Sequence, residues 1–139
     1  MGSVFFFSEK TRFKLQNPRK TSGWLKKVIR AEGKELSSLN IIFCSDSYLG
    51  RINLQYLNHK TLTDIITFDH SGYEGLIAGD IFISIPRVKE NAKKFHCPFD
   101  IELHRVMVHG ALHLLGYNDK SDRQKAEMRK KEDSYLSLR

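Results

Sequence analysis

The sequence predicts an α+β fold, a single domain in which a small mixed β-sheet of about four strands packs with about five helices. Three observations predict it. Strand-like runs fall in the first two-thirds of the chain, and the longest helical patterns fall in the last third. The 139 residues are 40% hydrophobic, enough for one core that needs neither a disulfide nor a metal to fold. No repeat, linker or low-complexity stretch interrupts residues 1–139.

Residues 4–7, Val-Phe-Phe-Phe, read as a short strand. Pro18 opens a helix in which Trp24, Leu25, Val28, Ile29 and Ala31 recur at helical spacing with basic residues between them, and Gly33 supplies the stop. Leu39–Cys44 is a second strand, with Cys44 as core packing. Ser45 or Asp46 caps a helix carrying Tyr48, Leu49, Ile52 and Tyr56. The β-branched run within Thr61–Phe68 favours a third strand. His70-Ser71-Gly72 makes a turn, and Leu76–Ile85 makes a fourth strand, where Gly79 signals a bulge or a close backbone approach. Pro86 suits a first helical position ahead of Val88, Ala92 and Phe95. Pro98 or Asp100 begins the next helix, which runs to Leu115 with Gly116 just beyond it. Ser121 or Asp122 caps the last helix, with Ala126, Met128, Tyr135 and Leu136 on its apolar side.

Charge narrows the function. Aromatic residues at 11% and charged residues at 28% exclude intrinsic disorder. The formal charge is +7, and residues 9–34 carry all of it: nine Lys/Arg, among them Lys26, Lys27 and Arg30, stand against Glu9 and Glu32. Residues 35–139 hold fourteen charges of each sign. Such a run serves as a solvated helix face or as a docking surface for a polyanion such as RNA. Val4–Phe7 is too short for a signal-peptide core, and nothing approaches a membrane span, so a cytoplasmic protein without a membrane partner is expected. Cys44 and Cys97 form no CxxC pair and are expected as reduced thiols.

The chemistry lies in Val108-His109-Gly110-Ala111-Leu112-His113-Leu114-Leu115-Gly116-Tyr117-Asn118-Asp119. On a helix, residues four apart project from one face, so His109 and His113 can bind one metal ion. Two such histidines can also be core residues bonded to backbone. Gly116 and Asp119 at matching offsets favour the metal, because a glycine turn returns the chain and brings Asp119 over the ion as third ligand. Two imidazoles and a carboxylate leave a coordination position open for water, as in a catalytic site. The spacing HxxxHxxGxxD parallels the metzincin proteases, but Gly110 stands where a zinc protease has its general-base glutamate.

His109 to Tyr117 resembles the signature of the YbeY family of bacterial metal-dependent endoribonucleases, which mature ribosomal RNA. Asn53 to Phe68, ending Thr63-Asp64-Ile65-Ile66-Thr67-Phe68, is similar to the family's Asn-x-x-Tyr followed by Thr-Asp-Val-Leu-Ser-Phe. Gly79-Asp80-Ile81 with Ile83-Ser84 resembles its Gly-Asp-Ile-x-Ile-Ser strand. The resemblance covers roughly residues 39–135 and departs in two places. Asp119 stands where the family has histidine as third ligand, and Leu57 stands where it has an arginine thought to take part in RNA cleavage.

The resemblance implies a single-strand-specific endoribonuclease that acts on small-subunit (16S) ribosomal RNA within ribosomal particles, with no DNA partner. It implies Zn2+, one per chain, held by His109, His113 and Asp119; the carboxylate leaves another transition metal such as Ni2+ open. Arg105, one helical turn before His109, and His59, close in sequence to Leu57, are the candidate catalytic cations; an ion pair with Glu102 is the alternative for Arg105. Glu102 and Asp80 are candidates to orient the ligands, and Asp64 is read as the start of its strand. Two other classes remain: a ribosome-assembly factor that binds RNA through the basic helix with a structural metal, and a metallohydrolase of another substrate, including peptides.

Overall fold

The structure is a computed structural model that describes residues 2–57 and 63–139. Among these, the elements run β1 (Ser3–Glu9), α1 (Pro18–Ala31), β2 (Glu35–Cys44), α2 (Asp46–Leu57), β3 (Ile65–Asp69), β4 (Leu76–Ser84), α3 (Ile85–Lys94), α4 (Phe99–Leu114) and α5 (Asp122–Leu136). The four strands form one sheet in the order β1-β2-β4-β3. β1, β2 and β4 are parallel, and β3 is antiparallel to β4 at one edge. The mixed α+β architecture is the expected one.

Strand alternation divides the sheet into two faces. Val4 and Phe6 of β1, Leu39, Ile41 and Phe43 of β2, and Ile77, Ile81 and Ile83 of β4 point into the main core with α1, α4 and α5. The opposite face carries a smaller cluster in which Leu49 and Ile52 of α2 cover Cys44 and Ile66. Cys44 is the core residue expected: it is fully buried, its thiol donates to the Ile83 carbonyl, and burial with nearby Asp46 pushes its pKa up to about 12.

The central element is α4. Helices that are apolar all round are buried all round, and Leu103, Val106, Met107, Val108, Ala111, Leu112 and Leu114 are all in its buried set. Two glycines set how closely it lies on the sheet. A Cβ at Gly110 would meet Ile65 Cδ1 and Ile81 Cδ1 at 2.9 Å, and one at Gly79 would meet the Phe68 carbonyl oxygen at 2.6 Å and Leu114 at 3.0 Å. Gly79 is therefore a close approach; the strand irregularity falls in β2, between Leu36 and Ser38.

Several boundaries differ from the sequence reading, for local reasons. β3 begins at Ile65, where the Thr63 hydroxyl donates to the Ile65 carbonyl and holds a turn just before the strand; the expected start at Thr61 lies outside the described residues. The turn before β4 falls after residues 70–72, at Tyr73 to Gly75, where Gly75 supplies the positive φ of 86°. Pro86 is the second helical residue of α3, since Ser84 is the cap and accepts from the Arg87 amide. Tyr56, expected on the apolar face of α2, is 64% exposed, and Ala31 and Ala126 are also on the surface. Ser121 caps α5 through a full capping box with Gln124.

Candidate metal centre

The site is built by the end of α4. Gly116, at φ 105°, donates to the His113 carbonyl while Tyr117 donates to the Leu112 carbonyl, the paired bonds of a Schellman turn. That turn sends the chain back over the last helical turn and delivers Asp119 to the two histidines. His109 Nε2 and His113 Nε2 are 2.9 Å apart, and Asp119 Oδ2 lies 3.2 Å from the first and 3.4 Å from the second. Donors held tetrahedrally at roughly 2.0–2.1 Å from a zinc ion are roughly 3.3–3.4 Å from one another. The three residues thus fit one ion, and among the described residues they are the group of His, Cys, Asp and Glu side chains spaced to hold one.

Each ring is oriented through its other nitrogen. His109 Nδ1 is 2.7 Å from Glu132 Oε2, and His113 Nδ1 is 3.0 Å from the Tyr117 carbonyl oxygen. Acceptors on both Nδ1 atoms place the protons there and leave both Nε2 lone pairs facing the same point. Burial opposes a charge on His109, but the hydrogen bond and charge of Glu132, with Asp119 and Asp64, outweigh it and raise the pKa.

Glu132 is the orienting residue that sequence reasoning missed. The two proposed candidates lie elsewhere. Asp80 faces the other side of the sheet, accepting from Asn40 and pairing with His70 at 3.0 Å. Glu102 is buried one turn before Arg105 and accepts from the Cys97 thiol at 3.9 Å; it lines the same hollow as His109 and, among the described residues, is not bonded to His109, His113 or Asp119. Glu132 comes from α5, 23 residues beyond His109. Its other oxygen accepts from Arg105 at 3.0 Å, and Arg105 also pairs with Asp133 at 2.8 Å. The partner of Arg105 is therefore α5 and not Glu102, and both arms of its guanidinium are committed to carboxylates. His59 lies outside the described residues.

A second polar cluster holds the turn that carries Asp119. The Tyr117 hydroxyl donates to Glu32 Oε1 at 2.5 Å; Tyr135 and Lys131 donate to Oε2, the lysine at 3.1 Å. Burial works against the Glu32 charge, but the two hydroxyls and Lys131 outweigh it and lower its pKa. A depressed carboxylate pKa adds stability that is present above the unfolded value near 4.3 and is lost as pH falls through the folded value. Glu32→Gln is accordingly expected to lose about 1–3 kcal/mol at pH 7 and much less at pH 3; urea melts at the two pH values check this, and an equal loss at both would refute it.

Two hollows flank the ligands. One, of about 380 Å³, lies between α4 and α5 and includes Arg105, His109, Asp119, Lys125, Arg129 and Glu132 in its lining. The other, of about 430 Å³, is lined by Asn53, Leu57, Thr63, Thr67, His113 and Asp119 among others. They meet at Asp64, Ile65, His109 and Asp119. Asp64, read from sequence as a strand start, borders both hollows and accepts from Asn91 at 3.3 Å; burial, the leading influence, raises its pKa. Leu57 puts a neutral side chain in the second hollow.

The family model described as Endoribonuclease YbeY matches residues 6–138. A curated protein of that name from Cytophaga hutchinsonii is 50% identical over 99% of this chain and 96% of its own length. Another, from Amoebophilus asiaticus, is 48% identical over 96% and 91%. Among solved structures, the solution structure of TM1509 from Thermotoga maritima superposes with a TM-score of 0.69 at 27% identity, covering 96% of this chain and 87% of that one. With a family match over residues 6–138, relatives at about half identity and a shared fold, the chain belongs to the Endoribonuclease YbeY family.

Proposed function

We propose that residues 1–139 form one metallohydrolase domain that cleaves single-stranded RNA during maturation of the small-subunit (16S) ribosomal RNA, in the cytoplasm and on ribosomal particles. The observation that carries it is the convergence of His109, His113 and Asp119 on one point where two open hollows meet. Zinc is the ion that the donor set suits, one per chain. When bound, such an ion brings the ionisation of water to near neutral pH and polarises a phosphoryl oxygen.

The chain's own residues do the rest. Glu132 and the Tyr117 carbonyl hold the two rings in the tautomer that points Nε2 at the ion. Arg105 acts as a positioning residue, since it holds Glu132 and Asp133. The expected result with zinc-loaded protein is cleavage of single-stranded precursor RNA, loss of cleavage after chelation and recovery when zinc is returned. Uncut RNA with the loaded protein would eliminate the nuclease in favour of an RNA-binding assembly factor.

The basic segment 9–34 is proposed as a separate polyanion-docking surface, but it is not one face. Arg30 pairs with Glu35 at 3.6 Å. Arg19, Lys20 and Lys27 line a hollow of about 570 Å³ together with His104 and Arg139. Lys26 borders a different depression beside Val4 and Phe6. Lys20→Gln with Lys27→Gln should therefore flatten the salt dependence of RNA binding more than Lys26→Gln with Arg30→Gln. Equal slopes in a salt titration of the two variants would remove the first hollow as the docking surface. Among the described residues, no helix is long and apolar enough to cross a membrane.

A further inference from the structure

We propose that Lys125 and Arg129 form a cationic rim that grips the RNA backbone on one side of the scissile position, in the hollow between α4 and α5. The inference rests on the nuclease reading and adds to it the path of the substrate.

Residues 125, 128, 129 and 132 share one stripe of α5 at i, i+3, i+4 and i+7. Met128 and Glu132 are buried at the floor, Met128 in the main core and Glu132 against His109. Lys125 and Arg129 are exposed and stand above them at the mouth of the hollow that contains His109 and Asp119.

Charge accounting then isolates these two residues. The hollow is lined by Asp64, Glu102, Asp119 and Glu132 as well as by three cations. Glu132 is spent on His109 and Arg105, and Asp119 faces the two histidines. Asp64 accepts from Asn91 and Glu102 from the Cys97 thiol, and burial raises the pKa of both. Arg105 is held by Glu132 and Asp133. Neither Lys125 nor Arg129 makes a side-chain hydrogen bond or ion pair among the described residues; Arg129 only senses the charge of Glu102 at longer range. They are the uncommitted charges of the hollow, and phosphates are what such charges reward.

The other flank differs. Asn53, Thr63, Thr67 and Leu57 in its lining are neutral, and no lysine or arginine among the described residues contributes to it. Among the described residues, the cations free to hold a phosphate beside the ligands therefore lie on α5.

The test uses the zinc-loaded full chain and a single-stranded RNA oligonucleotide, with anisotropy measured over a salt series. Lys125→Gln with Arg129→Gln should weaken binding roughly 10- to 100-fold and reduce the slope of log affinity against log salt by about 1.4, at roughly 0.7 per phosphate contact. Zinc content should stay unchanged, and KM should rise while kcat changes little, as for binding remote from the reacting bond. Lys125→Arg with Arg129→Lys should restore both affinity and slope. The control is Arg123→Gln with Lys130→Gln, which removes the same net charge from exposed positions of α5 outside the hollow. Equal slopes for the two double glutamine variants would overturn the rim while leaving the nuclease intact. Wild-type protein that neither binds nor cuts RNA would overturn the nuclease reading, and the rim with it.

Discussion

Replacing His113 with alanine is expected to release the metal and abolish RNA cleavage in the same step, while the fold persists. The ligand atoms that remain, His109 Nε2 and Asp119 Oδ2, are 3.2 Å apart and still share a point in space, but two donors hold an ion far less well than three. Apparent zinc affinities of about 10–16 kcal/mol spread over four ligands give roughly 3 kcal/mol for each, or about two orders of magnitude in affinity for one lost ligand. The fold should tolerate the change. The His113 side chain is 25% exposed and at the periphery of the core, and the bond it makes to the Tyr117 carbonyl is only one of the ties on that turn. The Gly116 and Tyr117 amides and the Glu32 cluster hold it independently.

Elemental analysis of purified His113→Ala against wild type, together with cleavage of ribosomal RNA precursor and a thermal melt, checks the three parts. His70→Ala is the matched control. Its ring pairs with Asp80 on the opposite face of the sheet and should leave zinc content and cleavage unchanged. A His113→Ala protein that cuts RNA as well as wild type would end the catalytic role of this centre.

The candidate ligand set was legible because it is local. His109, His113, Gly116 and Asp119 lie within eleven residues, and helix period plus a glycine stop convert their spacing directly into proximity. Glu132 was not legible in this way, because helix period says nothing about which residue of α5 meets which residue of α4. One signal was available. Met128, Glu132 and Tyr135 fall on the buried stripe of α5, and a carboxylate on an otherwise buried stripe needs a partner. Glu102 and Asp80 are carboxylates the sequence offers for the orienting role, and strand alternation alone explains why Asp80 does not fill it. Its neighbours Gly79 and Ile81 face α4, so Asp80 must face away. The strand order β1-β2-β4-β3 is likewise set by long-range pairing, whereas the antiparallel β3–β4 pair follows from their short connection.

The same alternation decides the peptidase question and yields the second large effect. Gly110→Glu would complete the His-Glu-x-x-His spacing of a zinc protease, and on sequence grounds alone it should confer a general base. The structure predicts unfolding instead. The missing Cβ of Gly110 points at the sheet, 2.9 Å from Ile65 Cδ1 and Ile81 Cδ1, and Ile81 is fully buried. Even alanine must push these two side chains aside, which offsets the roughly 1 kcal/mol that alanine gains over glycine inside a helix. Glutamate adds a longer chain, costing about 1–3 kcal/mol in overpacking, and a carboxylate without a partner in the core, costing several kcal/mol more. A domain of this kind has about 5–15 kcal/mol of stability in all, so the sum consumes most of it. The expected outcome is a protein with no cooperative thermal transition, or one lowered by tens of degrees, and with no peptidase activity; Gly110→Ala should fold and stay within about 1–2 kcal/mol of wild type. A folded Gly110→Glu protein of near-normal melting temperature would show that α4 can lift off the sheet, and with it the protease-like reading would return.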